Sequence, residues 1–598
     1  MTASSPPRSP LPRRVRRAGT VVVWVLIGTL VLVALAAVWI GVRGFLAAGH
    51  LRDAQQSATS LVSSMADPAT AAASVPAIAE DTAAARALTS DPVWRAASLV
   101  PWIGAQLDAV GTAIAAVDDV VTTAVSPLAT STSGFSLAAL QPVDGRFDLA
   151  ALAEVQEPAA AAAAGTATAL ASVDDIATGT LLAPLAAQIT EVRDLLDTAH
   201  IATDALSRAT ALMPAMLGAD GPRNYLVLFQ NNAEWRSLGG IVGATAMIHT
   251  EDGALSLIGQ ASSGDFTQYT QSVLPLSDEL TALYDEKPGR YIQNVTQVPS
   301  FPVAGQLAQE MWARDSGTRV DGVLALDPVA LSYLLRATGP ITLSTGDVLT
   351  SDNATALLLN EVYQRYQRPA DQDAFFQTAA AAVFDALAAG SANSSDLVTA
   401  LAQAGSENRI LLWNADPAQQ AILDGTTLQG LGPVTDAEHT AFGVYVNDGT
   451  GSKMDYYTHL DVGVGWCTDT EGGPDAALTV TVRSDAPADA ASLPSYITGG
   501  GGNGITPGVT RTVAYLYLPA GSELVFSSSE GPSDAPGFGT GTDGGRTVLT
   551  WTTDLTPGTE ATARIRVRTP STPELSAQVT PVLPDNGGTI VASCSSAG

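Results

Sequence analysis

Lysine is nearly missing from this chain: Lys287 and Lys453 are the only two in 598 residues. Neither has a serine three positions upstream, which excludes a Ser-x-x-Lys nucleophile. With Ala so abundant, the scarcity reads as genomic base-composition bias, so Arg in place of Lys at any one site carries little information. Histidine is sparse as well. His50, His200, His249, His439 and His459 show no metal-ligand spacing, which argues against a zinc hydrolase, and no metal ligands are assigned. Ser262 and Ser263 precede Gly264, but the flanks do not form the G-x-S-x-G nucleophile elbow. The run Gly449-Thr-Gly-Ser-Lys453 lacks the G-K-[ST] ending and glycine spacing of a phosphate loop, and reads as a turn with an exposed lysine.

Positive charge is in deficit. Lys plus Arg total 29 against 59 Asp plus Glu, a net charge of −30. Such a surface has no electrostatic footprint for nucleic acid and is repelled by anionic headgroups. Only two cysteines occur, Cys467 and Cys594, and a structural zinc would need two more ligands. In an oxidising compartment they are expected to pair as a disulfide, with two free thiols as the alternative. The bridge would close a loop of more than 100 residues, worth about 5 kcal/mol by chain entropy.

Charge of either sign is absent between Arg17 and Arg43, a run of 25 residues. Within it, residues 20–42 are almost all Val, Leu, Ala, Ile and Trp. At about 1.5 Å per residue, roughly 20 helical residues cross a hydrocarbon core of about 30 Å. Arg8, Arg13, Arg14, Arg16 and Arg17 precede the run and no acidic residue does. Residues 1–19 are therefore expected to form a cytoplasmic basic tail, 20–42 a transmembrane helix, and the rest to lie outside the cell. A cleaved signal peptide is the rival, but the run is long for one and Trp39-Ile40-Gly41-Val42 is a poor cleavage site.

The remaining chain is too long for one core. Residues 45–215 are expected to form a helical membrane-proximal region or stalk. Leu107, Val110, Ile114, Val117 and Val121 recur at helical spacing, as do Leu182, Leu185, Ile189, Val192 and Leu196. Residues 221–430 alternate strand-like and helix-like runs, the pattern of an α/β domain. Tyr225–Phe229 and Val320–Leu326 read as strands, and Asp327-Pro328 as the start of a helix. Residues 441–598 read as a β-sandwich: Ala563, Ile565 and Val567 alternate with Arg564, Arg566 and Arg568, as on a half-buried antiparallel strand.

Two polar clusters remain as site candidates. The first, Gln230 to Gly240, follows a buried strand and carries Asn232, Glu234 and Arg236. Strand ends are where α/β folds place binding groups, although a hydrogen-bonded structural turn explains the same residues. The second spans 360–373, where Arg365 and Arg368 lie three apart and would share a helix face if the helix continues that far. Two arginines beside tyrosines suit bidentate recognition of a phosphate or carboxylate. A salt-bridged helix end using Glu361, Asp371 and Asp373 is the plainer alternative.

The stretch 225–240 (YLVLFQNNAEWRSLGG) resembles the signature of the bacterial "domain of unknown function 4012" family, found on membrane-anchored envelope proteins. Asp91-Pro-Val-Trp94, Val100-Pro-Trp-Ile-Gly104, 321–328, 338–341 and 451–457 fit the same resemblance. More distantly, the chain is similar to the LytR-CpsA-Psr phosphotransferases, which attach polymers to the cell wall. In that comparison Glu234 and Arg236 match a strand-end charged pair, and Ala356-Leu357 through Arg365 and Arg368 match an arginine-bearing helix. Leu326-Asp327 through Gly339-Pro340-Ile341 match a third element. No Pro-Arg-Asp follows the second strand, and Gly264-Asp265 is the nearest substitute. Phe375, Phe376 and alanines follow Asp373 where that family has further arginines.

The resemblance implies a scaffold or glycan-binding module in surface-polysaccharide or wall-polymer assembly. The alternative is a phosphotransferase acting on a polyprenyl-pyrophosphate-linked polymer. There Arg236, Arg365 and Arg368 would clamp the pyrophosphate, and Asp265 or Asp373 would assist a divalent metal or a proton transfer. No cofactor is otherwise implied. Partners are the cytoplasmic membrane and a cell-wall glycan or lipid-linked polymer.

Overall fold

The computed structural model describes residues 13–63, 68–130, 141–467, 474–532, 537–592 and 594. They fall into two compact units, one built from the chain up to 136 with 150–211, the other from 137–149 with everything after 212.

The first unit is helical. A single helix, Arg13–Ser63, contains the apolar run, and no side chain of residues 20–42 is buried. A second stretch, Ile103–Ala129, is also long and apolar enough to cross a membrane, but 39% of it is buried against its neighbours. Of the expected stripe, Ile114 and Val121 are buried, and a second face of small residues is buried beside it. Ala109, Ala113 and Ala116 pack with Ala169, Val173, Ile189 and Leu196, while Leu107, Val110 and Val117 are only half-buried. Small residues win that face because they let helices approach closely. A Cβ on Gly165 would lie 2.1 Å from Thr123 Oγ1. A buried acid, Asp118, is held by Thr82 Oγ1 at 2.9 Å and Arg86 Nη1 at 3.1 Å.

The second unit contains three five-stranded sheets and a small ribbon. The first sheet uses β1 (Arg223–Arg236), β2 (Gly239–Glu251), β3 (Ala254–Ser262) and β4 (Gly322–Leu326). The ribbon pairs β5 (Ile341–Thr342) with β6 (Val348–Leu349), and β7 (Ile410–Asn414) completes the sheet in the order β3-β2-β1-β4-β7. Only β1 and β4 run parallel. Leu226, Leu228 and Val323 pack on the helix Phe301–Ser316 through Phe301, Leu307 and Met311. Asp327 caps the helix Pro328–Thr338, its Oδ1 accepting from Ala330 N at 2.7 Å.

The strand expected at 225–229 does not stop there. β1 continues through the polar residues to Arg236, because side chains take over ladder bonds at two register shifts. Gln230 Oε1 accepts from Gly240 N at 2.9 Å, and Asn231 Oδ1 from Ala233 N at 3.0 Å. The returning backbone passes so close that a Cβ on Gly240 would lie 2.3 Å from Asn231 carbonyl atoms.

The remaining strands are β8 (His439–Asp448), β9 (Thr458–Cys467), β10 (Asp475–Ser484), β11 (Thr510–Tyr517), β12 (Glu523–Glu530), β13 (Gly539–Asp543), β14 (Arg546–Leu555), β15 (Glu560–Arg568), β16 (Glu574–Val579) and β17 (Gly587–Thr589). They form sheets in the orders β12-β15-β10-β9-β17 and β13-β14-β11-β8-β16. Both sheets contribute to one apolar core containing Val444, Leu478, Val480, Leu516, Trp551 and Ile565. Trp235, from the far end of β1, is fully buried in that same core. Arg566 and Arg568 lie on the opposite face of β15 and flank the buried carboxylate of Asp475. Cys467 and Cys594 form a disulfide with Cα atoms 5.6 Å apart, tying the tail after β17 to the end of β9.

Candidate functional site

The polar end of β1 meets the end of β8 and the turn that follows it. Asp448 closes β8, and its carboxylate gathers the backbone of the turn, accepting from Thr450 N at 3.0 Å and Gly451 N at 2.5 Å. Gly451 takes φ +69°, and a Cβ there would press within 2.4 Å of Asn503 Nδ2. That fold of the turn drives Lys453 inward. The exposed lysine expected at this position is instead buried, its ammonium bonded to Glu234 beside the stacked rings of Tyr363 and Tyr496, whose centroids lie 6.0 and 5.6 Å away.

Glu234 also takes Arg236 Nη2 at 3.0 Å, and the same guanidinium bonds Asn294 Oδ1 at 3.0 and 3.1 Å and Trp235 O at 2.7 Å. Burial alone would push the Glu234 carboxyl up; Lys453 and Arg236 outweigh it and hold the group below the usual range. Burial would likewise push Lys453 down, and Glu234 holds it up. Two further acids lie in the same field. Asp448 is pushed up to about 6 by burial and by Glu234. Asp455, whose Oδ2 accepts from Trp235 N at 2.8 Å, is pushed well up by burial and by Asp448. Three acids and two bases therefore share one cluster, and one of the two raised acids, Asp448, lines an open groove.

That groove comprises two continuous lobes of about 460 and 420 Å³, which share Lys287, Gln297, Asp448 and Gly449. One lobe adds Asn447, Val513 and Tyr515; the other adds Arg236, Tyr291, Gln293, Asn294 and Asn503. The walls are rich in carboxamides and tyrosines, and Gln297 Oε1 has no hydrogen-bond partner. Lys287 is exposed and makes no ion pair among the described residues. Both lysines of the chain thus belong to this one site, Lys287 in the groove and Lys453 behind it. The scarcity of lysine was a signal available in the sequence, and it was set aside as composition.

The other expected site residues are placed as follows. Asn232 is fully buried and structural: its Nδ2 donates to Asp327 Oδ2 at 3.0 Å and Pro581 O at 3.2 Å. Arg409, not singled out in the sequence, completes that network with Nη1 to Asp327 Oδ2 at 2.8 Å and Nη2 to Val582 O at 2.6 Å. Arg365 pairs with Asp347 at 2.7 Å and Glu361 at 3.7 Å. Arg368 makes a two-point contact with Asp371 at 2.7 and 2.8 Å. Neither lines the groove that Arg236 reaches. Burial and, more weakly, the charge of Asp265 push the Asp373 carboxyl up, against a hydrogen bond from Ser262. Asp265 meanwhile caps its own turn, accepting from Ser262 N at 2.8 Å.

Among the described residues no three His, Cys, Asp or Glu side chains are grouped to hold a metal ion. A divalent cation held by two carboxylates takes its remaining ligands from water and substrate phosphates. The guanidiniums that would hold such phosphates are each engaged with a carboxylate, so the Asp265–Asp373 pair does not fit a phosphotransferase metal site.

No curated protein matches the chain. Residues 220–363, which run from just before β1 to Tyr363 beneath Lys453 and include Asn232, Glu234, Arg236 and Asp265, match the family model described as "Protein of unknown function (DUF4012)".

Proposed function

We propose that this is a single-pass, membrane-anchored envelope protein whose larger unit binds a glycan of a surface polysaccharide or wall polymer in the Lys287–Asp448 groove. The apolar helix supports the anchor, and the arginines before it support an inside N-terminus with the bulk of the chain exported. Protease added to intact protoplasts should then digest most of the chain. We read the two sheets around one core as a β-sandwich, and the β1–β4 sheet with its helices as a distant LytR-CpsA-Psr-like domain.

The observation that carries the binding reading is the chemistry of the groove. Carboxamides, tyrosines and one free ammonium around Asp448 suit hydroxyl-rich ligands, which need many hydrogen-bond partners and little net charge. Arg236→Ala is a poor test because it opens the buried ion cluster. Lys287→Ala and Gln293→Ala change exposed or half-buried groove residues. Each should lower the yield of copurifying glycan, identified by mass spectrometry, at least about tenfold while the unfolding midpoint stays put. Unchanged yield in both would remove the groove as the site.

The phosphotransferase alternative would rest on proton transfer alone, with Asp265 or Asp373, whose carboxyl is raised by burial, as the acting group. Turnover of a polyprenyl-pyrophosphate glycan that is abolished by Asp265→Asn would establish it over simple binding.

A further inference from the structure

The turn between the helices Pro92–Ala97 and Ile103–Val120 exposes large apolar side chains in sequence. Leu99 is 84% exposed, Val100 47%, Trp102 65% and Ile103 48%. The turn is held in that shape. Trp102 takes φ +70°, a conformation L residues rarely adopt, and a Cβ on Gly104 would lie 2.1 Å from Ser98 O. A soluble surface gains nothing from presenting four such side chains together.

The place of this turn identifies what covers it. Arg43, the first charge after the apolar run, binds the adjoining segment, pairing with Asp91 at 2.8 Å and donating to Leu88 O at 2.9 Å and Ala87 O at 2.8 Å. Asp91 in turn caps the helix that leads into the turn, through Val93 N at 2.7 Å and Trp94 N at 3.2 Å. Trp94 is buried and lies against Gly44. The exposed turn is therefore fixed at the level where the apolar helix ends. The Arg43 guanidinium also lies over the Trp39 ring, 5.3 Å from its centroid. A second loop reaches the same end: Gln106 bonds Thr180 O at 3.1 Å and Leu182 N at 2.9 Å, and Leu182 is 52% exposed.

We propose that the turn at 98–103 is a second membrane contact, seated in the headgroup–acyl boundary of the leaflet from which the apolar helix emerges. Trp and Leu side chains partition there, with indole favoured at the interface. The contact is apolar in character, as an acidic protein facing anionic lipid requires. It would fix the tilt and rotation of the helical unit against the bilayer, which one helix by itself leaves free. The proposal rests on the reading of residues 20–42 as a membrane span.

The test uses the full chain in phosphatidylcholine nanodiscs containing lipid spin-labelled near the top of the acyl chain. Because Cys467 and Cys594 are paired, a single introduced cysteine takes an environment-sensitive fluorophore selectively. Leu99→Cys reports on the turn and Val33→Cys on the span. Gln56→Cys is a control on the same helix, 13 residues past Arg43 and about 20 Å further from the membrane. The Leu99 label should be quenched at least about twofold relative to Gln56, with blue-shifted emission. A Leu99 label as bright as that at Gln56, while Val33 is quenched, overturns the proposal and leaves the anchor standing. A Val33 label that is also unquenched overturns the span itself, and this contact with it.

Discussion

Glu234, Arg236 and Lys453 keep less than a tenth of each side chain in solvent, whereas Arg368 keeps 81% beside Asp371. The two clusters look alike in sequence, each with carboxylates and arginines among tyrosines and carboxamides. Burial separates them. In the first, every charge has lost most of its hydration and depends on its partners; in the second, water does most of the work. The bland alternative of local ion pairing holds for Arg365 and Arg368. For Arg236 it holds too, but inside a core, where the same pairing becomes a structural commitment.

The sharpest way to break this contrast is to remove one buried partner. Lys453→Met should lower stability by about 3–5 kcal/mol, read from chemical denaturation, because Glu234 keeps only one of its two cations. A loss of a few tenths would mean water reaches the cluster. Lys453→Arg should recover part of this and stay about 1–3 kcal/mol below the parent, since a planar fork does not fit the buried point-charge position at Glu234 beside Tyr363 and Tyr496.

A smaller effect follows from the acids that share the cluster. Asp448 is held at about 6 in the folded protein, above its ordinary value near 3.8. The folded state therefore binds this proton more tightly than the unfolded state. The stabilisation it brings is complete below about pH 4 and is lost as pH rises through about 6. Asp448→Asn removes the titration, so the variant should gain on the parent by about 1 kcal/mol between pH 5 and 8. A constant difference across that range would place the rising acid elsewhere. Asp455, pushed up in the same direction, is the next to replace.

The smallest effect is expected at the exposed cluster. Arg365→Ala and Arg368→Ala should leave the unfolding midpoint unchanged within error, in low salt and in high. A clear loss at either would show that this surface pair is more than solvated charge.

Much of the fold was legible from local pattern. The apolar run, the helical spacing after it, the strand at Val320–Leu326, the Asp327 cap and the Arg/aliphatic alternation of β15 each follow from periodicity or capping within a few residues. The extension of β1 was not legible, because polar residues with two bulges read as a loop until the partner strand supplies their bonds. The inward turn of Lys453 was hidden for a related reason. Glycine-rich segments read as exposed turns, and only Asp448, which gathers the turn, and Glu234, 219 residues away, reverse that.

By itself the sequence determined where charge is absent, which segments must bury an apolar face, and that two cysteines alone were available to pair. Those are properties of neighbouring residues and of composition. Tertiary structure decided that Trp235 joins the core of the later sheets, that Arg236 is neutralised from within, and that Lys453 is buried against Glu234 behind the groove that Lys287 lines. Each depends on elements brought together from distant parts of the chain, as Lys453 and Glu234 are from 219 positions apart, and on how far their meeting excludes water. Local pattern does not encode that exclusion, and it sets the strength of every charge in the site.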